Sequence, residues 1–177
     1  MSIEPIEFRQ ALGSLASGVT VVTTQHQGQL HGTTVSSFCS LSLQPPLILI
    51  GIDLQATIHD LILESEIFAV NILAEHAEAL SGHFARRLPD KFSNVSYRLG
   101  SLGAPLLDDA VSRLECRLVA RYPGGDHSIF VGEVVATSTQ AQSQPLVYFR
   151  STYGRFHSNV ANLVANAVTV STANANS

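Results

Sequence analysis

The sequence predicts a mainly β, barrel-like fold. Three observations predict it. Short apolar or β-branched segments of strand length follow one another along most of the chain. Helical spacing appears only in brief stretches that do not alternate with those segments, so a doubly wound sheet is disfavoured. No G-x-G-x-x-G or P-loop pattern occurs, so any nucleotide would bind without a Rossmann fold.

Composition narrows the class. The chain has 177 residues, enough to bury a sizeable core. Hydrophobic residues make up 45% and charged residues 14%, which fits a compact protein or an oligomer with a large apolar interface. A net charge of −4 gives no footprint for nucleic acid. The longest apolar run, Leu47 to Ile52, is strand-sized and too short for a membrane span. The opening "MSIEPIEF" lacks the basic and apolar regions of a signal peptide, and Cys39 and Cys116 sit in no paired motif. A cytoplasmic protein with reduced thiols is expected. Residues 1–157 read as one domain, with 158–177 as a charge-free, loosely ordered tail.

The elements follow in order. Phe8, Ala11, Leu12 and Leu15 keep helical spacing behind Pro5, predicting a short first helix. Gly18 to Thr24 is strand-like, and His26 to Gln29 a hairpin turn. Leu30 to Ser42 reads as one long strand. Pro45 to Ile52 reads as a strand buried on both faces. Thr57 caps a helix carrying Ile58, Leu61 and Ile62. Phe68 to Leu73 is a strand, and Leu80, Phe84 and Leu88 mark a helix ended near Pro89. Leu114, Cys116, Leu118 and Ala120 alternate with Arg113, Glu115, Arg117 and Arg121, so the first set faces the core and the second faces out. "IFVGEVVAT" and "PLVYFR" supply two more strands.

Four groups of residues bear on chemistry. Thr34, Ser36, Ser40 and Ser42 fall on one face of the long strand, with Thr33 and Ser37 on the other. Positions i, i+2 and i+4 span roughly 7 and 13 Å, matching the polar edge of an extended ligand or a solvated strand face. Thr57 opens a helix straight after a strand, which is either an anion site or an ordinary cap. "GGDHSIFVGEVV" delivers Asp126 and His127 to the mouth of an apolar strand that also carries Glu133, as a pocket lip or as a plain hairpin turn. His76 and His83 share a spacing of seven, but no cysteine pair or H-E-x-x-H accompanies them, so no metal site is expected. His26, His31, His59 and His157 read as solvent or turn residues, and the absence of G-x-S-x-G argues against a hydrolase triad.

Taken in order, "ASGVTVVTT", "HGTTVSSFCSLSLQPPLILIGI", "FAVNIL", "GAPLL", "LECRL", "GDHSIFVGEV" and "PLVYFRSTYG" resemble the flavin reductase-like family. These are small NAD(P)H-dependent flavin reductases that partner two-component flavin monooxygenases. The resemblance runs from Phe8 to Phe156. It implies a split β-barrel related to FMN-binding proteins, a homodimer, FMN or FAD as the flavin, and NADH or NADPH as electron donor. It implies that Thr33, Thr34, Val35, Ser36, Ser37, Ser40 and Leu41 line the flavin and that Gln55, Ala56 and Thr57 help hold its phosphate. Many relatives carry serine where this chain has Ala56. Lys91 is implied as a phosphate partner with Phe92 packed nearby, and Tyr153 as a residue closing the pocket. His127 is implied to lie beside the flavin and serve the nicotinamide, with Asp126 orienting it and Glu133 structural. No dedicated arginine pair for a 2′-phosphate is evident in the sequence, which favours NADH. Relatives sharing these blocks also include flavoproteins that reduce another acceptor, such as a corrinoid or a metal complex, or that only bind flavin. A non-catalytic dimeric interaction module is a third reading.

Overall fold

A computed structural model describes residues 3–156; the predicted tail at 158–177 and His157 lie outside the described residues. The chain is mainly β. Its elements are α1 (Pro5–Gly13), β1 (Ser17–Gly18), β2 (Thr20–His26), β3 (Gln29–Val35), β4 (Phe38–Leu43), β5 (Pro46–Asp53), α2 (Thr57–Ser65), β6 (Ile67–Leu73), α3 (Glu78–Ala85), β7 (Tyr97–Leu99), β8 (Pro105–Leu107), β9 (Ala110–Gly124), β10 (His127–Thr139), β11 (Leu146–Phe149) and β12 (Thr152–Arg155). The main sheet has seven strands in the order β3-β2-β6-β9-β10-β5-β4.

That order explains the curl of the sheet. β3 and β4 are its two edges, yet only Ser36 and Ser37 separate them in the chain. The sheet must therefore bend until its edges nearly meet. The ladder does not close: β3 pairs only with β2, and β4 only with β5. The β4–β5 pairing continues into the hinge, where Gly51 N–H donates to the Ser37 carbonyl at 2.8 Å. The single long strand expected over Leu30 to Ser42 is thus two strands on opposite edges, with the serine pair as the hinge.

The concave face holds the principal core. Val22, Val35, Ile48, Ile50, Ile52, Phe68, Val70, Cys116 and Phe130 converge there, and α2 inserts Ile58 and Ile62 among them. Full burial of a side chain such as Ile50 contributes about 1.5–3 kcal/mol. Gly132, in the "VGEV" stretch, is required by close approach: a Cβ there would lie 2.4 Å from the Phe68 ring. A second core joins Val19, Val21, Leu73, Phe84, Phe92, Leu107 and Leu146.

Several predicted faces change in the folded chain. β5 is not buried on both sides: Ile48, Ile50 and Ile52 point into the core, while Leu47, Leu49 and Gly51 are half-buried on the outer face. Arg113 and Glu115 are buried, although alternation along β9 placed them outside. The segment from Gly100 to Asp108 covers them and satisfies both charges. Arg113 donates from Nε to the Leu107 carbonyl at 2.6 Å and from Nη2 to the Asp108 carbonyl at 2.7 Å. Glu115 accepts from Leu102 N–H at 2.9 Å and from the Ser101 hydroxyl at 3.0 Å. Arg117 and Arg121 stay exposed, as their spacing predicts. α3 ends at Ala85, before Leu88. α1 buries none of its side chains, and Ile6, Phe8 and Leu12 are exposed in the single chain.

Candidate active site

Three chain segments enclose a cavity of about 690 Å³: Leu30–Thr33 of β3, Asp53–Ile58 from the end of β5 into α2, and Ala85–Pro89 with Lys91 after α3. That volume suits a small-molecule ligand. Its charged lining is Asp53, Arg86, Arg87 and Lys91, with His31 beside them. The balance favours an anion.

Lys91 is held in place rather than free to wave in solvent. Its ammonium donates to the carbonyls of Gly32 at 3.0 Å and Phe84 at 2.8 Å, so it joins β3 to α3. Burial pushes its pKa down. His31 is also pushed down, first by burial and then by the charge of Lys91, which favours a neutral imidazole on this wall. Thr57 differs from its predicted role as a cap. Ala56 occupies the N-cap position, and no side chain caps the helix. The preceding turn is braced by Asp53, whose Oδ1 accepts from Gln55 N–H at 2.7 Å and whose carbonyl accepts from Ala56 N–H at 3.0 Å. The exposed Thr57 hydroxyl is therefore free for a ligand at the start of α2.

His127 stands at the rim. It opens β10 and lies opposite Asp53, a cavity residue, in the β5–β10 ladder. Its loop is pinned there by Leu54 N–H, which donates to the Asp126 carbonyl at 3.0 Å. Its Nδ1 lies 2.7 Å from Asp126 Oδ1. Ser37 and His127 both flank Gly51 on the outer face of β5.

The fold brings some predicted residues together and separates others. Thr33, Gln55, Ala56, Thr57 and Lys91 line the cavity, and Ser37 and His127 sit near its rim. Ser36, Ser40 and Leu41 are exposed and lie off the cavity wall. Thr34 is engaged elsewhere, donating to the Ser81 carbonyl at 2.7 Å, and Val35 is in the core. Phe92 is buried in the second core, edge-on to Phe84 and Tyr97. Tyr153 bonds Ser81 Oγ at 2.9 Å and lines a separate depression with His76, Gly82, His83 and Arg86. Glu133 lies opposite Arg117 in the ladder, with no side-chain hydrogen bond or ion pair among the described residues. Sequence reading missed His31, Asp53, Arg86 and Arg87. The adjacent arginines before Pro89 were a visible signal. Among the described residues, no group of three His, Cys, Asp or Glu side chains is placed to hold a metal ion.

Comparison with known proteins places this site in context. The model of the flavin reductase-like domain matches residues 12–157. The chain belongs to the flavin reductase-like domain family. It is 36% identical over 152 residues to the reductase subunit HsaB of a flavin-dependent monooxygenase from Rhodococcus jostii, covering 86% of this chain and 78% of that protein. It is 38% identical over 156 residues to an NADH-dependent flavin reductase from a Rhodococcus species, covering 85% of this chain and 86% of that protein. Among solved structures, the NADH:FAD oxidoreductase of Streptomyces globisporus in complex with NAD and FAD fragments superposes with a TM-score of 0.85 at 35% identity, covering 90% of this chain and 98% of that one. The family's mainly β architecture is the class the sequence predicted. In this flavin reductase-like chain the seven-stranded sheet is curled but open between its edges.

Proposed function

We propose that this chain is an NAD(P)H-dependent flavin reductase that supplies reduced flavin to a partner monooxygenase. One observation carries the reading: a cavity walled by Thr33, Gln55, Ala56, Thr57 and Lys91 adjoins the strand mouth bearing His127, in a chain of this family. The residues present fit an FMN or FAD phosphate. Thr57 offers a hydroxyl at a helix start, and Lys91, Arg86 and Arg87 offer positive charge. Ala56 offers no side-chain donor at its position. Flavin is the group that accepts the hydride of the reduced nicotinamide and, with a proton from water, becomes reduced flavin. The protein's part is to hold two rings together and keep water out. On this reading Thr33 and Ser37 border the flavin, and His127 orients the nicotinamide, with NADH as the first donor to test.

An apolar strip supports the homodimer. Cys39 and Leu49 align across β4 and β5 on the outer face, with Leu47 beside them. Leu41 and Leu43 are 51% and 84% exposed nearby. An obligate interface here would bury upwards of roughly 2,000 Å² in total. Sedimentation at micromolar concentration should show twice the 18.9 kDa chain mass; a single-chain species would remove the dimer. Within the described residues no helix is long and apolar enough to cross a membrane. The two free cysteines accord with work in the reducing cytoplasm.

The deciding experiment is oxidation of NADH and NADPH measured with FMN, FAD and riboflavin in turn. Flavin-dependent turnover is expected. Absence of turnover with all three flavins and both nicotinamides would overturn the reading.

A further inference from the structure

His59 is not the solvent or turn residue that its sequence context suggests. It is buried in the first turn of α2, edge-on to Phe130 with ring centroids 5.3 Å apart. Both its nitrogens are engaged. Nδ1 lies 2.7 Å from Asp60 Oδ1, and Nε2 lies 2.9 Å from Ser128 Oγ. An ionised carboxylate only accepts, so Nδ1 carries a proton toward Asp60. Nε2 shares its hydrogen bond with the Ser128 hydroxyl, which can donate or accept. Ser128 is buried on the inner face of β10, opposite Ile52, and directly follows His127, which points to the outer face.

This chain of groups closes a triangle. β5 runs through Asp53–Ala56 into α2 and forms a cavity wall on the way. β5 also pairs with β10 from Asp53↔His127 onward. The third side, from α2 back to β10, is the His59–Ser128 bond, and among the described residues it is the hydrogen bond that joins these two elements. It sits one residue from His127 and two residues from Thr57.

We propose that Asp60–His59–Ser128 is a positioning relay that sets the distance between the cavity wall at Gln55–Thr57 and the strand mouth at His127. The proposal rests on the reading that His127 serves the nicotinamide. Hydride transfer is sensitive to misplacement of the two rings on the scale of an ångström. Loss of the relay should therefore slow flavin reduction while leaving flavin affinity nearly intact.

The test is stopped-flow reduction of bound flavin over a range of NADH concentrations, with flavin affinity measured alongside, at a temperature well below the melting midpoint of every variant. Ser128→Ala removes the hydroxyl partner inside the protein. Asp60→Ala removes the outer partner from a residue whose side chain is 80% exposed, so it leaves the core untouched. Ser128→Ala should lower the rate at saturating NADH about three- to ten-fold and Asp60→Ala about two-fold, each with flavin affinity within about two-fold of wild type. Ser128→Thr, which keeps the hydroxyl, should recover most of the rate. His127→Ala, run beside them, separates the two ideas. A slow His127→Ala with wild-type rates in Ser128→Ala and Asp60→Ala would overturn the relay alone. A wild-type rate in His127→Ala would overturn the reading beneath it, and the relay with it.

Discussion

The imidazole Nδ1 of His127 lies 2.7 Å from Oδ1 of Asp126, its neighbour in sequence, at the opening of β10. The pair is local, yet it is aimed by long-range contacts. The Asp126 carbonyl is tied to Leu54, and His127 faces Asp53 across the ladder. The Asp126 carboxylate sets which ring nitrogen carries the proton, so the two residues act as one unit at the cavity rim.

Substituting His127 should impair hydride transfer far more than flavin binding. His127→Ala should lower kcat/KM for NADH about ten- to hundred-fold, about 1.4–2.7 kcal/mol of transition-state stabilisation. His127→Asn keeps a donor without the positive charge and should recover part of the loss. Stopped-flow reduction of bound flavin is the measurement, and wild-type rates in His127→Ala would show the loop to be a plain turn.

The Asp126 carboxyl should titrate below the usual value of about 3.9. The hydrogen bond from His127 is the first cause and the charge of His127 the second. A depressed folded pKa contributes stability above the unfolded value and loses it as pH falls through the folded one. Wild type should therefore keep its advantage over Asp126→Asn at neutral pH and lose it in acid below about pH 4. Carboxyl carbon NMR should show the Asp126 titration move back up in His127→Ala; an unmoved titration would break the assigned pair.

Thr57 should read the flavin phosphate. Its hydroxyl caps nothing and lines the cavity at the start of α2. Thr57→Val should weaken FMN binding by about 1.5–3 kcal/mol, the range for a hydrogen bond to a charged group, and leave riboflavin nearly unchanged. Equal losses for both ligands, measured by fluorescence titration, would place the phosphate elsewhere.

Cys116 should be inert in the folded protein. Burial first, and the neighbouring Glu115 charge second, push its thiol up to about 12. Thiolate is the reactive form, so maleimide or iodoacetamide should leave Cys116 unmodified until the chain is unfolded. Peptide mapping of natively labelled protein checks this; rapid modification at neutral pH would contradict the packing around β9.

Local pattern accounts for much of what was legible. The β-branched run at Thr20–Thr24, the apolar run at Leu47–Ile52 and the glycine-flanked Asp126–His127 each encode their own conformation through composition and turn chemistry. Most of the longer strands, the mainly β class and the ordered blocks that mark the family needed nothing more. Phe92 and Thr34 show where this stops. Both are adjacent in sequence to cavity residues, Lys91 and Thr33, yet packing against α3 and the second core directs them away. Likewise the alternation along β9 could not reveal that Gly100–Asp108 would fold over Arg113 and Glu115. The split of Leu30–Ser42 at Ser36–Ser37 follows from sheet order, since β3 and β4 find partners at opposite edges. The cavity exists because that curl brings β3, the start of α2 and the Ala85–Lys91 segment together from distant parts of the chain. Sequence alone determined most of the longer strands and which residue types could meet a phosphate or a nicotinamide. Only the tertiary structure decided which of them share a wall, because burial and strand pairing are settled by partners far away along the chain.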